Sequence, residues 1–270
     1  MDNELVLNHN GSDKTHPKFE IHLTKSQGDS PFHLIERVNY NGDLHKAEES
    51  LIKFMFSNRR HIVVVKRLSI NKKSSIRLPS DLKMRIKNLN IVGNVTTNTK
   101  LMKSVVDKSN LPLESLRIFI DCDNKPELDY EFIGIFKRFF LSLNNKNGWI
   151  PAIQSLQNQI VNVNSVSGRY FKGEQFHLLI KSWIETEKHI GTCFTFHTHL
   201  KEKSDATKIL NFVRDRFDEA TDGEKCVNIP MSSSAVIKLS FFSSDKSYFL
   251  PFKMAVVPVE FTSNQDQHTV

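Results

Sequence analysis

Ile86-Lys-Asn-Leu89-Asn-Ile91 and Leu113-Glu-Ser-Leu116-Arg-Ile118 share one spelling: an apolar residue, two others, an apolar residue, one other, an apolar residue. The same repeat is written upstream as Val65-Lys-Arg-Leu68-Ser-Ile70 and downstream as Phe136-Lys-Arg-Phe139-Phe-Leu141. Val236-Ile-Lys-Leu239-Ser-Phe241 fits it, and weaker copies lie at 158–163 (NQIVNV) and at Gly191-Thr-Cys-Phe194-Thr-Phe196. Repeat starts at 65, 86, 113, 136, 158, 191 and 236 are separated by 21, 27, 23, 22, 33 and 45 residues. The first four intervals fall in the leucine-rich-repeat range of roughly 20–29 residues, and the last two carry insertions. The end of each copy alternates at period 2, as a half-buried strand does.

Between copies the spacing turns helical. Leu101, Met102, Val105 and Val106 mark one helix face, stopped by Asn110 and Pro112. Phe176, Leu179, Ile180, Trp183 and Ile184 mark a second. Ala206, Ile209, Leu210, Val213 and Phe217 mark a third, with Ser204 as its N-cap. Leu44, Ala47, Leu51, Phe54 and Met55 mark an early one after Asp43. Strand–helix alternation favours parallel pairing. The expected fold is α/β, with leucine-rich-repeat-like strand–helix units forming a largely parallel sheet and helices packed on it. The alternative is an irregular α/β domain whose match to the repeat is chance. The polar residues 1–18 read as a disordered tail, 19–261 as a single domain and 262–270 as a frayed end.

The chain has 270 residues, 39% apolar and 25% charged, an ordinary globular composition that excludes wholesale disorder. Three cysteines, Cys122, Cys193 and Cys226, make no disulfide framework, and the odd count fits a reducing compartment. Residues 1–18 hold no signal-peptide core, and nowhere do eighteen apolar residues run together. The expected location is intracellular, cytoplasmic or nuclear, with no membrane partner. Ten glycines against twenty phenylalanines argue against glycine-lined cofactor loops, and no G-x-G-x-x-G or Walker sequence is present.

Chemistry-bearing residues are few. On a strand, Cys193, His197 and His199 project from one face and Phe194 and Phe196 from the other, with His189 and His177 as further metal-ligand candidates. No paired-cysteine spacing or HExxH completes that set, so a plain strand is the competing account and no metal is expected. Asp121, Asp123 and Asp129 follow a strand and read as a solvated turn in preference to a cation loop. Ser232, Ser233 and Ser234 lack a nucleophile-elbow context and read as the opening of the strand at Val236. Asn10-Gly-Ser12 and Asn94-Val-Thr96 spell the glycosylation sequon, here without a secretory signal. No catalytic residues, no cofactor and no small-molecule substrate are expected, so the chain is not read as an enzyme.

The basic stretch is the one candidate surface. Lys plus Arg is 37 against 30 acidic residues, a net charge of +7. From Leu51 to Lys108 there are 14 Lys or Arg, opposed only by Asp81 and Asp107. Arg59, Arg60, Lys66, Arg67, Lys83, Arg85 and Lys87 form the candidate interaction surface. Lys83, Arg85 and Lys87 alternate with Leu82, Met84 and Ile86, so one strand face reads as a cationic stripe. Such a stripe suits an acidic protein or phosphates, or is simply a solvated face. Phe54 and Phe56 are its only aromatic residues, a poor platform for stacking bases.

Several segments resemble the nematode-expanded family of F-box-associated domains of unknown function. They are Leu78-Pro79 with LKMRIKNLNI at 82–91, PLESLRI at 112–118, WIETEKHIGTCFTF at 183–196, and CVNIPMSSS at 226–234 running into VIKLSF. The resemblance covers residues 19–260. It implies a non-catalytic protein-interaction module like the target-recognition part of F-box proteins, with a basic nucleic-acid-binding module as the alternative. It implies structural roles for Trp183, Cys193, Phe194 and Phe196. Relatives often carry a helical F-box segment that docks on a ubiquitin-ligase adaptor. Residues 1–18 do not read as one, so this chain by itself is not expected to join a cullin-type ligase.

Overall fold

β-branched and aromatic residues crowd the repeat, and each copy becomes a strand. The computed structural model describes residues 2–9, 18–26, 32–39, 46, 50, 62–70, 78, 81–109, 111–121, 126–144, 151–198, 203–223, 225–241 and 250–259. These fall into two compact units, one within 1–119 and 126–136 and the other within 120–125 and 137–270.

In the first unit, β1 (Asp2–His9), β2 (Lys18–Ser26) and β3 (Phe32–Asn39) form an antiparallel sheet in that order. Residues 2–9 are thus a strand where a disordered tail over 1–18 was expected. Register sets Leu5 opposite Leu23 and Leu7 opposite Ile21. An apolar run too short for a helix still gains a full backbone ladder from a neighbouring strand.

β4 (Val63–Ile70), β5 (Met84–Val92) and β6 (Leu113–Asp121) lie side by side and parallel. Their repeats are in register: Leu68 pairs with Leu89 and Leu89 with Leu116, while Ile70 pairs with Ile91 and Ile91 with Ile118. Ile86, Leu89, Ile91, Leu116 and Ile118 are at most 1% exposed. Strict alternation would put Ile86 and Leu89 on opposite faces. The β4–β5 ladder omits one step, Lys66 beside Lys87, and resumes in register at Arg67 and Asn88. The change of buried face in β5 falls at the level of that omitted step, and the register with β4 is the same on either side of it.

α1 (Val95–Val105) follows β5, packs on it and buries Val95, Met102 and Val105. Asn94 caps it, its side-chain oxygen accepting from the Thr97 N–H at 3.1 Å. α2 (Tyr130–Gly134) buries Phe132, whose ring meets Phe136 edge-on at 5.5 Å.

The second unit contains β7 (Phe136–Asn144, except for Phe136 itself), β8 (Ile160–Val166), α3 (Glu174–Glu185), β9 (Cys193–Thr198) and α4 (Lys203–Arg214). β10 (Thr221–Gly223), β11 (Cys226–Pro230), β12 (Ala235–Phe241) and β13 (Leu250–Pro258) follow. β7, β8 and β9 are parallel, with Phe139, Val161 and Phe194 in one row and Leu141, Val163 and Phe196 in the next. From β9 the order continues β13, β12, β11, β10, all antiparallel. The chain is therefore mixed α/β, parallel in its earlier strands and antiparallel in its later ones, which corrects the largely parallel sheet expected throughout. The reason is connection length. Only residues 231–234 join β11 to β12, too few for the crossover of a dozen or more residues that parallel strands need.

α3 and α4 bury the faces expected of them: Phe176, Leu179, Ile180 and Trp183 on one, Ala206, Ile209, Leu210 and Val213 on the other. Ser204 lies inside α4, one residue past its start, and so is not its cap. The early helix face of Leu44, Ala47, Leu51, Phe54 and Met55 and the end at 262–270 lie outside the described residues. Around the 3-10 turn at Tyr170–Lys172, the rings of Phe171, Phe176, Phe196 and Phe252 meet at 4.8–6.0 Å. Trp183 meets Phe194 edge-on at 4.8 Å. Among the described residues no helix is long and apolar enough to cross a membrane.

Candidate functional site

Opposite the buried rows, β4, β5 and β6 present a face of exposed and half-buried residues. That face carries three of the seven sequence-selected cations. Lys66, Arg67 and Lys87 are exposed and stand at or beside the omitted ladder step. Arg59 and Arg60 lie outside the described residues.

The stripe expected of Lys83, Arg85 and Lys87 is divided by local bonding. Lys83 donates its ammonium to the Ser104 carbonyl at 2.7 Å, near the end of α1. Arg85 donates to the Asp107 carboxylate at 3.0 Å and to the Ser109 hydroxyl at 3.2 Å. The Asp107 N–H in turn donates to the Met84 carbonyl at 2.7 Å. The Ser109 hydroxyl and N–H, and then Arg85, hold the Asp107 carboxyl below its ordinary range. Arg85 and Asp107 thus clamp the segment after α1 to β5, a structural task. Lys87 keeps to the open face.

Sequence reasoning missed the polar residues that share this face. The Asn88 amide donates to the Lys66 carbonyl at 3.1 Å, and the Ser115 hydroxyl donates to the Asn88 side-chain oxygen at 2.6 Å. One asparagine therefore ties three strands together beside the omitted step. Asn90 donates to the Ser69 hydroxyl at 3.3 Å one row further on, where Arg117 is its pair on β6. The signal was present in the repeat. Aligning the copies stacks Lys66-Arg67, Lys87-Asn88 and Glu114-Ser115 at one level, and Ser69, Asn90 and Arg117 at another.

The corresponding face of the second unit is rich in amides and hydroxyls. Phe140, Asn162, Thr195 and Lys253 form one row, and Ser142, Asn164, His197 and Pro251 the next. Burial holds His197 below the ordinary imidazole range. Cys193 and His197 face away from buried Phe194 and Phe196, as the alternation implied. His189 is exposed, and His177 sits on α3 with its ring against Phe217 at 4.9 Å. His199 lies outside the described residues, and among those described no three His, Cys, Asp or Glu gather as a metal site.

The remaining candidates have structural partners. Asp129 caps α2 by accepting from the Phe132 N–H at 2.9 Å, and it also accepts from Lys103 at 3.1 Å. Although burial alone favours its protonated form, these bonds hold its carboxyl below the ordinary range. Asp121 ends β6, and Asp123 lies outside the described residues. Ser232 and Ser234 shape the turn that opens β12, the Ser232 N–H donating to the Ala235 carbonyl at 3.1 Å. Asn94 of the sequon caps α1, and Asn10 lies outside the described residues.

A family model described as a domain of unknown function (DUF3557) matches residues 43–200. That span contains every strand of the parallel runs, β4 to β9, and ends before the four that complete the antiparallel part. No curated protein and no solved structure matches the chain.

Proposed function

We propose a function for a chain that belongs to the DUF3557 family, whose model covers more than half of it: it is a non-catalytic protein-interaction module, comparable to the target-recognition part of F-box proteins. The supporting observation is the row of exposed polar residues on one face of β4, β5 and β6. Its polar positions project from an in-register ladder, while most apolar positions of the same repeat are buried in the core. Such a scaffold lets side chains on one face change without disturbing the fold. The same stacking supports reading the repeat as a solenoid-like unit.

The test is capture of partners by the full chain from a lysate of its source, compared with a Lys66→Glu/Lys87→Glu variant of unchanged melting behaviour. A partner held in fixed stoichiometry by the wild type and released by the variant is the expected result. A partner set indifferent to every substitution on this face, or turnover of a small molecule by the pure chain, would overturn the reading.

A further inference from the structure

We infer that the face of β7, β8, β9, β13 and β12 opposite the aromatic core binds single-stranded RNA, a second surface that goes beyond the interaction-module reading and does not depend on it. β7, β8, β9, β13, β12 and β11 lie side by side and contain no Asp or Glu. Strands as such do not exclude acids in this chain, since β1, β2, β3 and β6 each carry at least one. An ordinary solvated face mixes both signs of charge. Here the exposed cations on the face are Arg138 on β7 and Lys238 on β12, which stand in one row. Neither side chain forms an ion pair among the described residues. Lys253, half-buried in the next row, has an interaction of its own within the chain and is not counted.

Beside those charges the register sets rings against amides. Phe140 on β7 pairs with Asn162 on β8 in one row, and Asn164 on β8 pairs with His197 on β9 in the next. Phe140, Asn162 and His197 are half-buried, and Asn164 is exposed. The two rings are thus two strands and one row apart, about 12 Å for strands ~4.8 Å apart and same-face residues ~6.7 Å apart. That spacing lets each ring take a different base, with the two amides between them. Burial holds the His197 imidazole below its ordinary range, so it offers a neutral ring at pH 7. Each amide both donates and accepts, as a base edge does, and Thr195 on β9 adds a hydroxyl beside Asn162. These groups also suit the ribose 2′-hydroxyl, which DNA lacks. Sheet faces that hold single-stranded RNA work in this way, with rings stacking bases and cations taking phosphates.

An acidic protein segment would satisfy the two cations and leave the rings and amides without a task. The first unit has the opposite balance: its basic strands β4 and β5 hold no aromatic residue. Stacking platforms select a polyanion that carries bases, and they belong to the second unit.

The experiment measures fluorescence anisotropy with the full chain and three labelled probes at moderate salt. One is an RNA of about ten nucleotides with randomised sequence, the second is DNA of the same design, and the third is a Glu peptide of equal charge. The RNA should bind more tightly than the DNA, and the peptide should bind weakest. Arg138→Gln/Lys238→Gln should weaken the RNA by about tenfold and lower the slope of log Kd against log salt by about 1.4, at ~0.7 per phosphate contact. Both positions are exposed, so the melt should be unchanged, and the slope does not depend on the fraction of chain that is folded. His197→Ala should weaken the RNA by about fivefold or more, and His197→Phe should bind at least as well as the wild type, a rescue that a merely structural role would not produce. Lys100→Gln on α1 should change binding less than about twofold. No binding of the RNA, DNA or Glu peptide bound as tightly as the RNA, or wild-type affinity and slope in the Arg138→Gln/Lys238→Gln variant would each overturn the inference. If a protein partner is still released by substitutions on β4 and β5 while the RNA fails to bind, the interaction reading stands and the RNA surface falls.

Discussion

β5 and β12 carry the same six-residue spelling and bury different residues. In β5 the first, fourth and sixth positions, Ile86, Leu89 and Ile91, are all in the core. In β12 the first position, Val236, is half-buried, and the core takes Ala235, Ile237 and Leu239 by strict alternation. The neighbours account for the difference. β5 lies between parallel strands built from the same repeat, and its change of buried face at Lys87 falls at the one step that the ladder with β4 omits. β12 lies between antiparallel strands and pairs with β13 at every step from Ala235 to Phe241. A change of face there would break that uninterrupted ladder, so period 2 prevails. The facing of an apolar triplet is therefore a property of the strand's neighbours as much as of its own residues.

Breaking the core on each side of this comparison gives the largest effect. Leu116→Asp should abolish folding, because a lone buried carboxylate costs several kcal/mol against a total stability of about 5–15 kcal/mol. Arg117→Asp, on the exposed face, should melt close to the wild type. In β12 the sensitive position is Ile237, which is fully buried. Ile237→Asp should unfold the chain, and Val236→Asp should be the milder change. Thermal melts that rank Val236→Asp as the more damaging would show that the repeat's own spelling governs β12 as well.

The cores also differ in substance. The first unit stacks aliphatic residues, while the second gathers phenylalanines around the 3-10 turn at Tyr170–Lys172. Phe171 is 1% exposed and touches Phe176, Phe196 and Phe252. Phe171→Ala should cost about 3–5 kcal/mol, whereas Ile91→Val in the first unit should cost about 0.5–1.5 kcal/mol. Denaturant midpoints test both. Near-equal losses would mean that the aromatic cluster repacks around the cavity.

Much of this was legible in the residues. The repeat located β4 to β9, because buried apolar positions leave a mark in any sequence. Helical spacing located α1, α3 and α4 for the same reason. The antiparallel end was not legible, since strand direction depends on connection length and Val236 satisfies the repeat while facing the wrong way. Nor were the roles of Asp107 and Asn88. Each acts through a partner distant in sequence, Arg85 for one and Ser115 for the other, and local composition carries no record of such pairs. At the basic surface, position was legible for Lys66, Arg67 and Lys87. The use of Lys83 and Arg85 to hold the segment after α1 was not.

A private irregularity tests the shared one. Between Asn164 and Val166, β8 slips against β9, and Ser165 takes φ 64°. Such left-handed backbone is strained for a side chain and worst for a β-branched one. Ser165→Val should cost about 1–3 kcal/mol, and Ser165→Gly should be neutral or slightly stabilising. If valine were tolerated as well as glycine, the strand would have straightened into the register that β5 and β4 keep.

Acid should separate the two units by the pH at which each responds. In the second unit, burial holds His177 and His197 below the ordinary imidazole value of 6.5, with the positive charge of Lys181 adding to the effect at His177. Below pH 6.5 the unfolded chain takes up protons at these positions before the folded chain does. Their contribution is thus fully present above pH 6.5 and is lost as pH falls toward the folded values. In the first unit the shifted acids are Asp107 and Asp129, both held below the ordinary carboxyl value of 3.8. Their contribution persists until pH falls through that range. Among the described residues, these two histidines are the shifted groups that act between pH 7.5 and 5, and partial exposure of both rings keeps their loss below about 1 kcal/mol. A His177→Gln/His197→Gln variant should therefore show a flatter melting temperature across that window than the wild type, with both chains losing stability alike below pH 4. A wild type that gained stability on going from pH 7.5 to 5 would place a carboxylate partner beside one of the two rings and reverse the sign.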